Sequence, residues 1–398
     1  MQDTPFCESE KKVIFKVQTK LMRFLKRFFQ SIVLVVIVFA AYAFISGKTY
    51  LFKSAYYNFS NIDDYKIFDN NIVKAGTAKP WIFSPNYNKI NYPDSVNALM
   101  EKLQTVGLLV IQNNAISFEK YWDGYSDTSH SGSFSMAKSV VSILIGVAIK
   151  EGKIKSVQQT VGDFIPEFKE GEKAKVKIVD LLTMSSGTDW NESYWNPLSV
   201  TAEIYYGTDA YKTATGVKMI KKPGTYHYYK SGDTQLLGLI LAKATGKTIS
   251  AYATEKLWQP LGATHDAFWS IDHVGGHEKA YCCLNSNTRD FARIGKLMLD
   301  SGKIDGLPIM DSNYYAASIK SCGITDTKGL ACDYYGYQWW IDPEHKEIFY
   351  ARGILGQYII MIPSKKLIIV RLAKKTAKER IHTVPTEVRY LINWGLSM

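Results

Sequence analysis

Ser133-Phe-Ser-Met-Ala-Lys-Ser-Val-Val-Ser-Ile-Leu-Ile-Gly-Val-Ala-Ile-Lys-Glu-Gly152 begins polar, becomes strongly apolar after Lys138 and stops at a glycine. Met136, Val140, Val141, Ile143, Leu144, Val147 and Ala148 leave almost no polar face, which predicts a buried helix. Ser135 and Lys138 lie three residues apart, and on a helix that spacing stacks two side chains on one face. A buried helix is a costly place for a lysine unless the lysine has a task. The pair therefore reads as a nucleophile, Ser135, with its activating base, Lys138. Ser-x-x-Lys also occurs at Ser9/Lys12, in a charged tail, and at Ser117/Lys120, in an alternating stretch where residues three apart face opposite ways. Only the third pair opens a long apolar helix. The competing reading is a serine near an N-cap followed by a surface lysine in the first turn.

The rest of the composition describes a globular chain of one large or two ordinary domains, with 398 residues, 46% hydrophobic and 21% charged. The net charge of +11 is uneven. Lys11, Lys12, Lys16, Lys20, Arg23, Lys26 and Arg27 crowd the first 27 residues against Asp3, Glu8 and Glu10. No basic stripe is interleaved with aromatics, which argues against nucleic acid as a partner. Residues 28–46 carry no charge and would span roughly 28 Å as a helix, close to a bilayer core. The basic lead predicts a single-pass anchor in the cytoplasmic (inner) membrane, with the N-terminus inside and the remainder outside, on the periplasmic face. A cleaved signal peptide is the rival, because Ala41-Tyr42-Ala43 resembles a cleavage site, but the charged lead is long for one. A buried core helix is the weakest reading.

Of five cysteines, Cys7 falls on the cytoplasmic side, while Cys282, Cys283, Cys322 and Cys332 fall where disulfides form. Cys322 and Cys332 can close a short loop, whereas a bridge between vicinal Cys282 and Cys283 would be strained; the pairing stays open. The seven histidines show no metal-ligand spacing, so neither a metal nor another cofactor is expected.

The expected organisation is a basic tail over 1–27, the anchor over 28–46, a connector over 47–90 and a hydrolase-like domain over 91–398. Helical spacing marks 94–104, and two apolar runs around Asn113-Asn114 mark a β-hairpin. Residues 152–250 read as mostly helix and loop, with an aromatic loop over 185–197 and a buried helix over 235–246. A further helix is expected from Asp290. Strands are expected over 335–341, 357–362 and 366–371, then a closing helix over 386–396. The layout is α+β: one antiparallel sheet, terminal helices on one face and a helical subdomain on the other.

Two further stretches carry chemistry. Gly224 to Gly238 brings Tyr226, Tyr228 and Tyr229 to a polar turn, and a tyrosine beside a cation can shuttle a proton. Gly353 and Gly356 in Tyr350 to Gln357 suit a close backbone approach to a ligand. With Ser135-Met-Ala-Lys138, Tyr229-Lys-Ser231 followed by Leu236-Leu-Gly238, and Ala351-Arg-Gly353, the chain resembles the serine β-lactamase and penicillin-binding-protein superfamily. The class C-like branch, with its esterases and 6-aminohexanoate-dimer hydrolases, is nearest. Leu181 to Gly187, Asn287 to Arg293, Gly336 to Trp340 and Gly356-Gln357 also look like this branch.

The resemblance implies a β-lactamase/transpeptidase-like fold and a serine hydrolase. Ser135 would form an acyl-enzyme, with Lys138 and Tyr229 relaying its proton, and the order of the two bases stays open. Backbone N–H groups of Ser135 and Ile354 would form the oxyanion hole. Ser231 would hold Lys138, and Tyr194, Arg352 and Gly353 would face substrate. Two departures stand out. Ala351 replaces the residue that binds a carboxylate in many members, and Ser231 replaces an Asn. Both favour a small-molecule or peptide-like ester or amide over a β-lactam or D-Ala-D-Ala substrate. A D-Ala-D-Ala carboxypeptidase or β-lactamase is the alternative substrate class. A non-catalytic cell-wall ligand-binding module on the same fold is the alternative in kind.

Overall fold

The computed structural model describes the backbone of residues 5–398 and the side chains of residues 11–398; Cys7 lies outside the latter. The chain divides into two units, one ending at Asn58 and one spanning Phe59–Met398. The first unit holds the helices Pro5–Ile45 and Tyr50–Tyr57. The long helix contains the uncharged stretch, and its apolar side chains point outward on every side, with Leu34 62% and Val35 67% exposed.

In the second unit a seven-stranded sheet carries the core. Its order is Trp340–Ile341, Phe349–Gly353, Gln357–Ile362, Leu367–Ala373, Thr105–Gln112, Ala115–Tyr121 and Ile82–Phe83. All pairings are antiparallel except the last, which is parallel. The hairpin turns at Asn113 and Asn114, both with positive φ (51° and 66°), a conformation that asparagine tolerates better than most residues. Side chains alternate across the sheet. Leu367 and Ile369 face the helices Asp94–Lys102 and Thr386–Leu396, in a cluster with Leu391 and Trp394. Ile368 faces the opposite side, where Gly295 of the helix Thr288–Leu299 lies against it.

The α+β architecture is as the sequence implies, and the closing helix Thr386–Leu396 has the expected bounds. Three features differ. Residues 335–341 form only a two-residue strand, because Gln338 sits at φ 65° and its polar groups bond to helix ends instead. Its Nε2 donates to Leu181 O and Leu182 O, and its Oε1 accepts from Thr234 Oγ1. A second sheet of four short strands, Asn70–Val73, Ala267–Ser270, Leu284–Ser286 and Ser131–Gly132, escaped the sequence reading. The helix expected to begin at Gln235 begins at Ser231. The vicinal pair Cys282–Cys283, which the sequence marks as strained, is the one joined, and Cys322 and Cys332 are free thiols.

Arg371, fully buried in the sheet, ties strand ends to the loops above them. Its guanidinium donates to Thr105 Oγ1 (3.0 Å), Gly356 O (3.0 Å) and Leu103 O (3.2 Å). Arg371→Met removes the charge and leaves these acceptors buried without a donor. The expected loss is about 3 kcal/mol in chemical unfolding, a typical cost for breaking a buried charged network.

Candidate active site

The buried helix of the Ser135 stretch runs Met136–Lys150 with Ser135 as its N-cap residue, and thirteen of its fifteen residues are buried. Phe134, immediately before Ser135, has φ 44°, a left-handed conformation that a phenylalanine holds only at a cost on the order of 1–2 kcal/mol. That turn presents Ser135 at the helix start. Gly353 ends the facing strand hard against the same turn. A Cβ there would lie 2.2 Å from Ser133 O, so only glycine allows the approach. Ile354 follows directly, in the 3-10 turn Ile354–Gly356.

Lys138 is 1% exposed, and its Nζ donates to Ser135 Oγ (3.0 Å), Ser231 Oγ (3.2 Å) and Tyr281 O (2.9 Å). Burial pulls its pKa down to about 8, partly opposed by the Glu192 carboxylate. Nζ also sits over the rings of Tyr229 and Tyr281, at 5.1 and 5.4 Å. Burial raises the pKa of the Tyr229 phenol above the ordinary tyrosine value, and the nearby Ser135 hydroxyl partly opposes the rise. Ser135, Lys138, Tyr229 and Ser231 are thus brought together from two helices and the segment between Tyr228 and the Ser231 helix.

Glu192 completes the cluster and was not foreseen. Its carboxylate accepts from Ser231 N and Ser231 Oγ (both 2.7 Å), Trp190 Nε1 (2.8 Å) and Tyr194 OH (2.5 Å). It therefore fastens the aromatic loop to the start of the Ser231 helix. Trp190 packs so closely on Gly232 that a Cβ there would come within 2.4 Å of its ring. Tyr194 is 45% exposed and reaches the cluster through Glu192. The sequence signal was available as an acid among aromatics, Trp190-Asn-Glu192-Ser-Tyr194. Tyr281 was also missed; it acts through a main-chain oxygen, which no side-chain motif reports.

Arg352, expected to face substrate beside Gly353, falls by strand alternation on the Tyr350 side rather than the Gly353 side. Its guanidinium lies 4.8 Å over the Trp340 ring, and Trp340 packs against Tyr229 at 5.5 Å. Ala351 is fully buried and offers no cation.

This fold with this cluster defines a serine hydrolase of β-lactamase type. A family model described as Beta-lactamase matches residues 94–391, and the chain belongs to that family. The 6-aminohexanoate-dimer hydrolase of Paenarthrobacter ureafaciens is 26% identical over 292 residues, 69% of this chain and 74% of that protein. The N-acetylmuramyl-L-alanine amidase of Bacillus subtilis (strain 168) is 24% identical, over 57% of this chain and 63% of the amidase. Among solved structures, a Bacillus anthracis protein provisionally described as a 6-aminohexanoate-dimer hydrolase superimposes with a TM-score of 0.71. It shares 22% identity, over 85% of this chain and 92% of that one.

The electrostatic coupling of Glu192 to Lys138 has a defined sign. The carboxylate favours the ammonium form, so Glu192→Gln is expected to move the Lys138 midpoint below about 8. An NMR titration of 13C-labelled lysine side chains reads it directly; an unchanged or raised midpoint contradicts the coupling.

Proposed function

We propose that the chain hydrolyses an ester or amide through a covalent acyl-enzyme on Ser135. The observation that carries this reading is the 3.0 Å contact between Ser135 Oγ and a buried amine whose charged form is disfavoured. With a midpoint of about 8, roughly a tenth of Lys138 is neutral near pH 7 and able to take the Ser135 proton. Ser135 Oγ then attacks the acyl carbon. The developing oxyanion is met by the N–H groups of Ser135 and Ile354. Tyr229, beside Ser135, hands a proton to the leaving group and is reprotonated through Lys138. Water attacks the ester intermediate in the reverse sequence and regenerates the serine.

The substrate side favours an ester or amide over a β-lactam or D-Ala-D-Ala peptide. Ala351 supplies no cation, the Arg352 guanidinium is stacked on Trp340, and Glu192 places a negative charge beside the nucleophile. The names of the relatives, a 6-aminohexanoate-dimer hydrolase and an N-acetylmuramyl-L-alanine amidase, support cleavage of an amide. The same proposal holds the domain outside the cytoplasmic membrane on residues 28–46. It rests on the outward apolar side chains of the long helix and the basic residues before them.

A fluorophosphonate probe is expected to label the protein at Ser135. Ser135→Ala should abolish labelling and lower hydrolysis of p-nitrophenyl butyrate by on the order of 10³-fold or more. Undiminished labelling or turnover in that variant refutes the acyl-enzyme. Because neutral Lys138 is the competent base, kcat/KM of the native enzyme is expected to rise through about pH 8 and level off above it. A profile flat across that range removes Lys138 from the base role.

A further inference from the structure

Behind the catalytic tyrosine lies a cluster that hydrolysis does not use. A ring nitrogen of His227 and the Sγ atoms of Cys322 and Cys332 all lie within 4.8 Å of one another. His227 and Cys332 are buried, at 3% and 0% exposure, while Cys322 is half-buried. His227 comes from a part of the chain distant from the 322–332 loop that holds both cysteines, and backbone bonds fix their meeting. His227 N donates to Thr325 O (2.8 Å), which docks the 322–332 loop on the His227 segment. Within that loop Gly323 N donates to Cys332 O (3.0 Å) and Cys332 N to Ile324 O (2.8 Å), which sets the two cysteines side by side.

The imidazole is held in one tautomer. His227 Nδ1 lies 2.9 Å from Thr183 O, and a carbonyl only accepts, so Nδ1 carries the proton and Nε2 keeps its lone pair. A ring N–H given to a backbone carbonyl is the outer-shell arrangement of metal-binding histidines. Met184 and Tyr335 pack on Cys332 and form an apolar wall. A bare disulfide would need neither the converging imidazole nor its fixed tautomer. We propose that His227, Cys322 and Cys332 form a binding site for a thiophilic d10 cation, with Zn2+ as the ion to test and water in the fourth position. Zinc bonds of about 2.0–2.3 Å put tetrahedral ligand atoms roughly 3.3–3.8 Å apart, so loading asks for a contraction on the order of 1 Å.

The site would act as a staple. Tyr335 packs against His227 in a tilted contact (5.2 Å) and edge-to-face against Tyr229 (5.9 Å), and its carbonyl accepts from Cys322 N (2.8 Å). A cation there joins the 322–332 loop to the segment that carries Tyr229, and binding free energy adds to stability.

The test uses the full-length protein in detergent, reduced and stripped of metal, with its thiols counted. One equivalent of Co2+ should give a thiolate-to-cobalt charge-transfer band that one equivalent of Zn2+ abolishes, and Zn2+ should raise the melting temperature. Cys322→Ser and His227→Gln should each lose the band, and circular dichroism checks that each variant is folded. Should Cys332→Ser fail to fold, the half-buried Cys322 variant still decides the matter. Absence of a one-equivalent band in native protein with both thiols reduced overturns the proposal. So does an undiminished band in folded Cys322→Ser.

Discussion

A lysine amine taken out of water must be surrounded by oxygen, and most of the site follows from that requirement. Lys138 is almost wholly buried, and its Nζ is met by the Ser135 hydroxyl, the Ser231 hydroxyl and a main-chain carbonyl. Remove these acceptors and the ammonium costs several kcal/mol to keep inside. Keep them, and the charge is tolerated but not comfortable, so its pKa falls to about 8. An amine in that state loses its proton within reach of neutral pH while touching the serine. The groups that compensate the charge are therefore also the surroundings that set its protonation. Glu192 tunes it from the far side of Ser231, and the same carboxylate fastens the aromatic loop.

The backbone around the amine is correspondingly constrained. Phe134 holds a left-handed conformation before the nucleophile, and Gly353 brings the neighbouring strand within van der Waals limits of Ser133 O. Arg371 reaches from the centre of the sheet to Gly356 O, at the end of the turn that carries Ile354. Local cost at the site is thus balanced by hydrogen bonds anchored in the rigid sheet.

Much of this was legible in the sequence. The apolar run after Lys138, the Asn113-Asn114 hairpin and the closing helix announce themselves because period and turn chemistry agree. The Ser135, Lys138, Tyr229 and Ser231 grouping followed from motif order. What stayed hidden depends on contacts that sequence does not encode locally. The strands of the second sheet have only two to four residues each, too short for a period to emerge. Gln338 looks like part of a strand until its amide is seen bonded to helix ends. Glu192 looks like any loop acid until Ser231 is placed beside it. His227 and the two cysteines lie too far apart in the chain for spacing to reveal them as neighbours.

The groups around Ser135 come from positions 138, 192, 229, 231 and 281, with the strand at 353 pressed against the same turn. No short fragment contains them. Long-range pairing of this kind is completed late, after loop-closure entropy has been overcome. Until then Lys138 is an ordinary hydrated amine with an ordinary pKa, and Ser135 is no more nucleophilic than any other serine. The buried, oxygen-lined amine beside Ser135 therefore exists only in the completed fold. On the proposed acyl-enzyme reading, a count of serines that react with a probe is also a count of correctly folded molecules.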